Sequence, residues 1–222
     1  ENEITIELVS GDLSWEEFLS KGHTDDFSPA ISRASATTNI LFSSGTTGTP
    51  KAIPWTQLTP IKAAADAWAH HDIHEGDVVA WPTNLGWMMG PWLIYASLLN
   101  GATIALFEGS PLGADFTRFV EKARVTMLGV VPSIVRAWKA NGATEGVDWS
   151  RIKVFSSTGE ASNPTEMHWL MSRSGYSPVI EYCGGTEIGG GYITGSVLQP
   201  QAAATTQAKE PKIMAKIQNP TT

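Results

Sequence analysis

The chain has 222 residues, 42% of them hydrophobic, with a formal net charge of −7 and a pI near 5.2. That length supports one large α/β domain or two small ones, and the apolar content is enough to fill a core. The acidic balance argues against a general binder of nucleic acid or anionic membrane, and the single cysteine, Cys183, excludes an internal disulfide and any cysteine-rich zinc site.

The first residues, "ENEITIELVS", carry neither an initiator Met nor a signal pattern, and read as an internal piece of something longer. Residues 1–8 alternate like a short strand, "SWEEFLSK" predicts a helix capped by Ser14, and 22–35 is turn-rich, so 1–36 reads as a connector segment. From Thr37 the character changes. "TNILF" and "AIPW" predict two strands of a hairpin around a hydroxyl-rich loop, followed by a helix over "TPIKAAADAWAHH" with Pro60 near its start. The span from Ala80 to Phe107 has no charged residue and is long enough to cross a bilayer. Pro82, Asn84, Gly86, Gly90, Pro91, Asn100 and Gly101 interrupt it, so a buried helix followed by a buried strand is the better reading.

A rhythm then runs through "DVVAWP", a helix over 86–100, "ATIALF", "ADFTRFVEKAR", "VTMLGVVP", "SIVRAWKANG", "IKVFSST", "NPTEMHWLMSRSG" and "VIEYC". Short apolar strands alternating with amphipathic helices define an α/β fold, a central parallel sheet flanked by helices, over 37–198. Residues 199–222 have little periodicity and are expected to form an irregular tail.

Functional sites of such sheets lie at the carboxyl ends of the strands. The loops expected there are "PTNLGW" (82–87), "STGEASNP" (157–164) and "CGGTEIGGG" (183–191). With them belongs the hairpin tip "SSGTTGTPK", which crowds Ser43, Ser44, Thr46, Thr47 and Thr49 between Gly45, Gly48 and Lys51. A nucleotide-binding P-loop is excluded by spacing, since Gly45 and Gly48 are three apart and Pro50 separates Thr49 from Lys51. The donor chemistry still suits a polyphosphate: glycines admit backbone N–H groups, hydroxyls add donors and Lys51 adds a mobile charge. By composition alone a solvated Ser/Thr/Gly turn is the favoured reading of this loop, and only its companion loops tip the balance towards phosphate. Glu187, in a glycine-rich turn after a strand, is the carboxylate suited to Mg²⁺, which takes one or two carboxylates plus phosphate oxygens.

"SSGTTGTPK", "STGEASNP" and "EYCGGTE", in that order, resemble the adenylate-forming superfamily of acyl-CoA synthetases, luciferases and peptide-synthetase adenylation domains. The stretch "NLGWMMGPWLIYASLLNGATIALFEGSP" resembles its acetyl-CoA-synthetase branch, and the nearest likeness is to the peroxisomal acyl-activating enzymes of plants, from about Thr37 to Gln201. The resemblance implies part of the large N-terminal domain of such an enzyme, using ATP, Mg²⁺ and coenzyme A as thiol acceptor. Carboxylate attack on the ATP α-phosphate would give an acyl-adenylate, and a thiol would then take the acyl group. Ser44, Gly45, Thr46, Thr47, Gly48, Thr49 and Lys51 would grip the β- and γ-phosphates. Gly159, Glu160, Ala161 and the run Glu181, Tyr182, Cys183, Gly184 and Gly185 would flank the adenine. Thr186 would touch the α-phosphate, Glu187 would ligate the metal, and Trp87 with Gly184 would border the acyl and pantetheine channel. Transfer to a carrier-protein thiol, and a non-catalytic nucleotide-binding or interaction fragment, remain alternatives.

The chain also departs from the family. Thr49 stands where many relatives have lysine and Ala52 where they have glycine, while Asn84 replaces an acidic residue and Met89 a threonine. Acetate-specific relatives carry paired tryptophans where Cys183 and Gly184 stand here, which implies acyl groups larger than acetate. The ribose-binding aspartate and the small C-terminal domain with its adenylation lysine are not found, so an incomplete, weakly active or inactive part is expected. The plant relatives imply a peroxisomal location, although "NPTT" is no peroxisomal address. His70, His71 and His74 read as ordinary residues near a helix C-terminus rather than a metal site, and of the nine tryptophans only Trp87 is a ligand candidate. Cys183 lacks a histidine partner in its sequence context and is not read as a nucleophile.

Overall fold

The computed structural model describes residues 7–22, 28–43, 48–200 and 202–204. The strand expected over 1–8, most of the tail from 199, and the site candidates Ser44, Gly45, Thr46 and Thr47 lie wholly or mainly outside the described residues. The chain divides into two units, Glu1–Arg33 and Ala34–Thr222. The first holds α1 (Trp15–Ser20), begun by a capping box: the Ser14 hydroxyl accepts from the Glu17 N–H at 3.1 Å, and the Glu17 carboxylate accepts from the Ser14 N–H at 3.0 Å.

The second unit starts with an antiparallel hairpin, β1 (Thr37–Ser43) and β2 (Lys51–Thr56), in which Ser43 pairs with Lys51. Next come α2 (Leu58–His71), β3 (Val78–Ala80), α3 (Met89–Leu98), β4 (Thr103–Ile104), α4 (Ala114–Lys122), β5 (Met127–Val130) and α5 (Pro132–Asn141). They are followed by β6 (Val154–Ser157), α6 (Pro164–Met171), β7 (Val179–Gly185) and β8 (Gly190–Thr194). The main sheet has six strands in the order β4-β3-β5-β6-β7-β8, parallel except for the antiparallel β7–β8 pair.

Every residue of β5 and β6 is buried, Ser156 and Ser157 included, because helices cover both faces. On one face, Ala63 and Ala67 of α2 and Trp92, Leu93 and Ala96 of α3 pack on Val79, Met127, Val154 and Ile180. On the other, Phe116, Val135, Trp138, Met167 and Leu170 of α4 to α6 pack on Leu128, Val130, Phe155 and Val179. Gly129 makes room for the Trp81 indole: a Cβ there would lie 1.9 Å from the ring.

Two elements differ from expectation. β4 is shorter than "ATIALF" because it is an edge strand that bonds only β3. β8 was not expected, since Gly190 and Gly191 dilute its strand signal. Their smallness is what lets the strand lie there: a Cβ on Gly190 would sit 2.7 Å from Asp66 Oδ2, and one on Gly191 2.6 Å from the Tyr182 ring.

Candidate functional site

The strand carboxyl ends form the rim that the sequence pointed to. Over β6 and β7 opens a cavity of about 560 Å³ lined by residues 157–162, 181–184 and Ala204. Two of the loops read as adenine-flanking, Gly159–Ala161 and Glu181–Gly184, therefore share one wall system although some twenty residues apart in the chain.

Glu181 sets its electrostatics. Only 8% of the residue is exposed. The Ser162 hydroxyl donates to Glu181 Oε2 at 2.8 Å, so the Ser157 hydroxyl must supply the proton of the 2.8 Å Ser157–Ser162 bond. Glu181 Oε1 is buried and has no hydrogen-bond partner among the described residues. Burial pushes the Glu181 carboxyl above its ordinary range, against the lowering effect of the two serines. A buried acceptor without a donor costs about 1–3 kcal/mol, so this carboxylate is held at a cost beside the cavity.

Glu160 spends its carboxylate differently. It accepts from the Ser133 N–H at 3.0 Å and the Ser133 hydroxyl at 2.8 Å, tying the 157–164 loop to the start of α5. Tyr182 lines the cavity only through its strand position. Its side chain is 2% exposed and turned into the core, where the phenol donates to Asp66 Oδ2 at 2.6 Å and accepts from Trp92 Nε1 at 3.0 Å. The Thr158 hydroxyl donates to the Tyr182 carbonyl. Cys183 donates its thiol to the Tyr192 hydroxyl at 3.1 Å beside the cavity.

The turn after β7 holds Thr186, half-buried, and Glu187, which is exposed and makes no hydrogen bond among the described residues. The Trp55 indole N–H of β2 donates to the Thr186 carbonyl at 2.7 Å. The hairpin that carries Lys51 is thus fastened to the Thr186–Glu187 turn; at strand rise, the Lys51 and Trp55 Cα atoms are ~13 Å apart. Gly48, Thr49 and Lys51 are all exposed at the hairpin tip. An exposed carboxylate with no competing partner fits a hydrated Mg²⁺ that is also held by phosphate. No cluster of three or more metal-ligating side chains exists among the described residues.

Further along the rim, a second cleft of about 360 Å³ is lined by apolar groups, among them Trp81, Pro82, Leu106, Phe107 and Phe116, and by polar ones that include Thr83 and Asn84. It lies over the carboxyl ends of β3 and β4. Trp87, 73% exposed, follows on the same loop, which Asn84 folds by accepting from the Gly86 N–H at 2.7 Å. The histidines do not converge. His70 bonds the Gly195 carbonyl at 3.0 Å, His74 bonds Asp72 at 2.7 Å, and buried His71 bonds the Ser156 hydroxyl at 2.9 Å. The role of Asp66, described below, had no sequence signal beyond an acid in an apolar helix face.

A parallel α/β sheet with glycine-rich loops gathered on one rim defines a nucleotide-binding class of protein. The profile of the AMP-binding enzyme family matches residues 2–222, and the chain belongs to that family. The match reaches further at both ends than the motifs, because segments without motif residues become recognisable only when aligned as a whole. The chain is 62% identical over 205 residues to a hexanoyl-CoA synthase of Cannabis sativa, covering 91% of this chain and 28% of that protein. It is 61% identical over 202 residues to the probable peroxisomal acyl-activating enzyme 17 of Arabidopsis thaliana, covering 90% and 28%. The structure of an acetoacetyl-CoA synthetase from Streptomyces lividans superposes with a TM-score of 0.69 at 30% identity, over 76% of this chain and 28% of that one. The chain thus spans less than a third of the length of these relatives.

Proposed function

We propose that this chain is the nucleotide-holding part of an ATP-dependent acid–thiol ligase. The observation that carries the reading is the cavity at the strand ends, walled by the glycine-rich loops 157–162 and 181–184 that are separated in the chain and brought together by β6 and β7. The adenine ring would lie between these two loops. Gly159, Ala161 and the backbone of 182–185 border the base. Thr186 faces the α-phosphate, and Gly48, Thr49 and Lys51, with the loop residues before them, receive the β- and γ-phosphates. Glu187 holds Mg²⁺, which when bound neutralises phosphate charge.

The substrate carboxylate oxygen attacks the α-phosphorus, and the bond to pyrophosphate breaks. Coenzyme A thiolate then attacks the acyl carbon and AMP leaves. The chain's residues contribute position and charge rather than covalent chemistry. Cys183, small where acetate-specific relatives carry tryptophan, supports an acyl group larger than acetate, in keeping with the hexanoyl-CoA synthase named above. The smallness of Gly184 serves the β7–β8 pairing, since a Cβ there would lie 2.3 Å from the Gly190 carbonyl oxygen. Two relatives named as peroxisomal support that compartment here.

Calorimetric titration with a non-hydrolysable ATP analogue tests the reading. Wild-type protein binds the analogue and AMP; Lys51→Ala weakens the analogue about tenfold, as expected for one charge-assisted phosphate contact, and leaves AMP unchanged. Binding of neither nucleotide by folded wild type refutes it.

A further inference from the structure

Helix α2 presses its Thr59, Lys62 and Asp66 side chains directly onto the β7–β8 turn. A Cβ on Gly189 would lie 2.1 Å from Thr59 Cγ2, and one on Gly190 2.7 Å from Asp66 Oδ2 and 3.0 Å from Lys62 Nζ. Gly191 is held through both of its backbone polar groups. Asp66 Oδ2 accepts from its N–H at 2.9 Å, and Lys62 Nζ donates to its carbonyl at 3.1 Å. Lys62 and Asp66 are themselves ion-paired, and Asp66, 6% exposed, also accepts from the Tyr182 hydroxyl. None of these side chains needs to enter the cavity to act.

At its other end α2 follows directly on β2, whose Trp55 holds the Thr186 carbonyl and whose first residue is Lys51. We infer that Lys62 and Asp66 are positioning residues for the phosphate end of the site, holding the Thr186–Glu187 turn at a set distance from Lys51. This role rests on the nucleotide reading above. The clamp joins through one helix two segments separated by more than a hundred residues, and both must face one Mg²⁺–triphosphate.

The test compares wild type, Asp66→Asn and Lys62→Met, the last removing the ammonium that donates to the Gly191 carbonyl while keeping the side-chain length. Three quantities are read: adenosine affinity by NMR titration, Mg²⁺–ATP-analogue affinity by calorimetry, and hydrogen exchange of the Trp55 indole N–H without ligand. A positioning role predicts adenosine affinity within about twofold of wild type, analogue affinity lower by about tenfold in Asp66→Asn and less in Lys62→Met, and faster Trp55 exchange in the same order. Equal losses for adenosine and the analogue, or unchanged Trp55 exchange in both folded variants, overturn the clamp and leave the nucleotide reading standing. A folded wild type that binds neither ligand overturns that reading and this role with it.

Discussion

Glu181 and His71 show how much a single buried ionisable group can decide. Glu181 has a raised carboxyl pKa, so its ionised form is penalised by folding. Its contribution is favourable at low pH and is lost as pH rises through the folded value. Glu181→Gln is therefore expected to raise the melting temperature at pH 7 while leaving AMP affinity close to wild type, because the amide keeps a carbonyl acceptor for the Ser162 hydroxyl. Differential scanning fluorimetry and calorimetry read the two effects, and a variant that loses both stability and affinity would contradict this account. His71 runs the opposite way. Desolvation lowers its pKa from 6.5 to about 4, within an aromatic enclosure of Trp92 and Tyr182 at 5.5 and 5.3 Å. Its neutral form is stabilised by folding, so that stability is whole above pH 6.5 and lost as pH falls towards 4. The linkage amounts to about 3 kcal/mol. Urea unfolding at pH 7.5 and 4.5 should show this loss in wild type and a smaller one in His71→Gln.

The strands and helices were the most legible part of the chain. Both the α1 cap at Ser14 and the apolar runs of β5, β6 and β7 carry their own local physics, and they formed where pattern and capping placed them. Strand β8 was hidden for the opposite reason. Its glycines are chosen by the close approach of α2 and Tyr182, contacts that no local window contains. Gly129 is a similar case under the Trp81 indole. Gly129→Ala forces the ring aside, and overpacking of this kind costs about 1–3 kcal/mol, a drop of roughly 3–10 °C in melting temperature for a chain of this size. A melting temperature within one degree of wild type, ~1 °C being far below that range, would mean the ring moves freely.

Across the whole sheet, the order β4-β3-β5-β6-β7-β8 puts the Glu181 cavity and the apolar cleft on the same rim. On the reading proposed above, the nucleotide would lie at the first and the acyl group toward the second. Burial of each additional methylene contributes about 0.8 kcal/mol. A hexanoyl-sulfamoyl adenosine is thus expected to bind at least about tenfold tighter than its acetyl counterpart, measured by competition against AMP. Equal affinities would mean that the acyl chain reaches neither the second cleft nor the space beside Cys183.

The loops "SSGTTGTPK", "STGEASNP" and "EYCGGTE" announced the family because their glycines and hydroxyls serve backbone turns and short-range donation, which are local properties readable in order along a chain. The unpaired oxygen of Glu181, the inward turn of Tyr182 and the grip of Lys62 and Asp66 on Gly191 had no such signature. Burial and hydrogen-bond satisfaction depend on which distant segments pack together, so those features exist only once α2 lies across the β7–β8 turn.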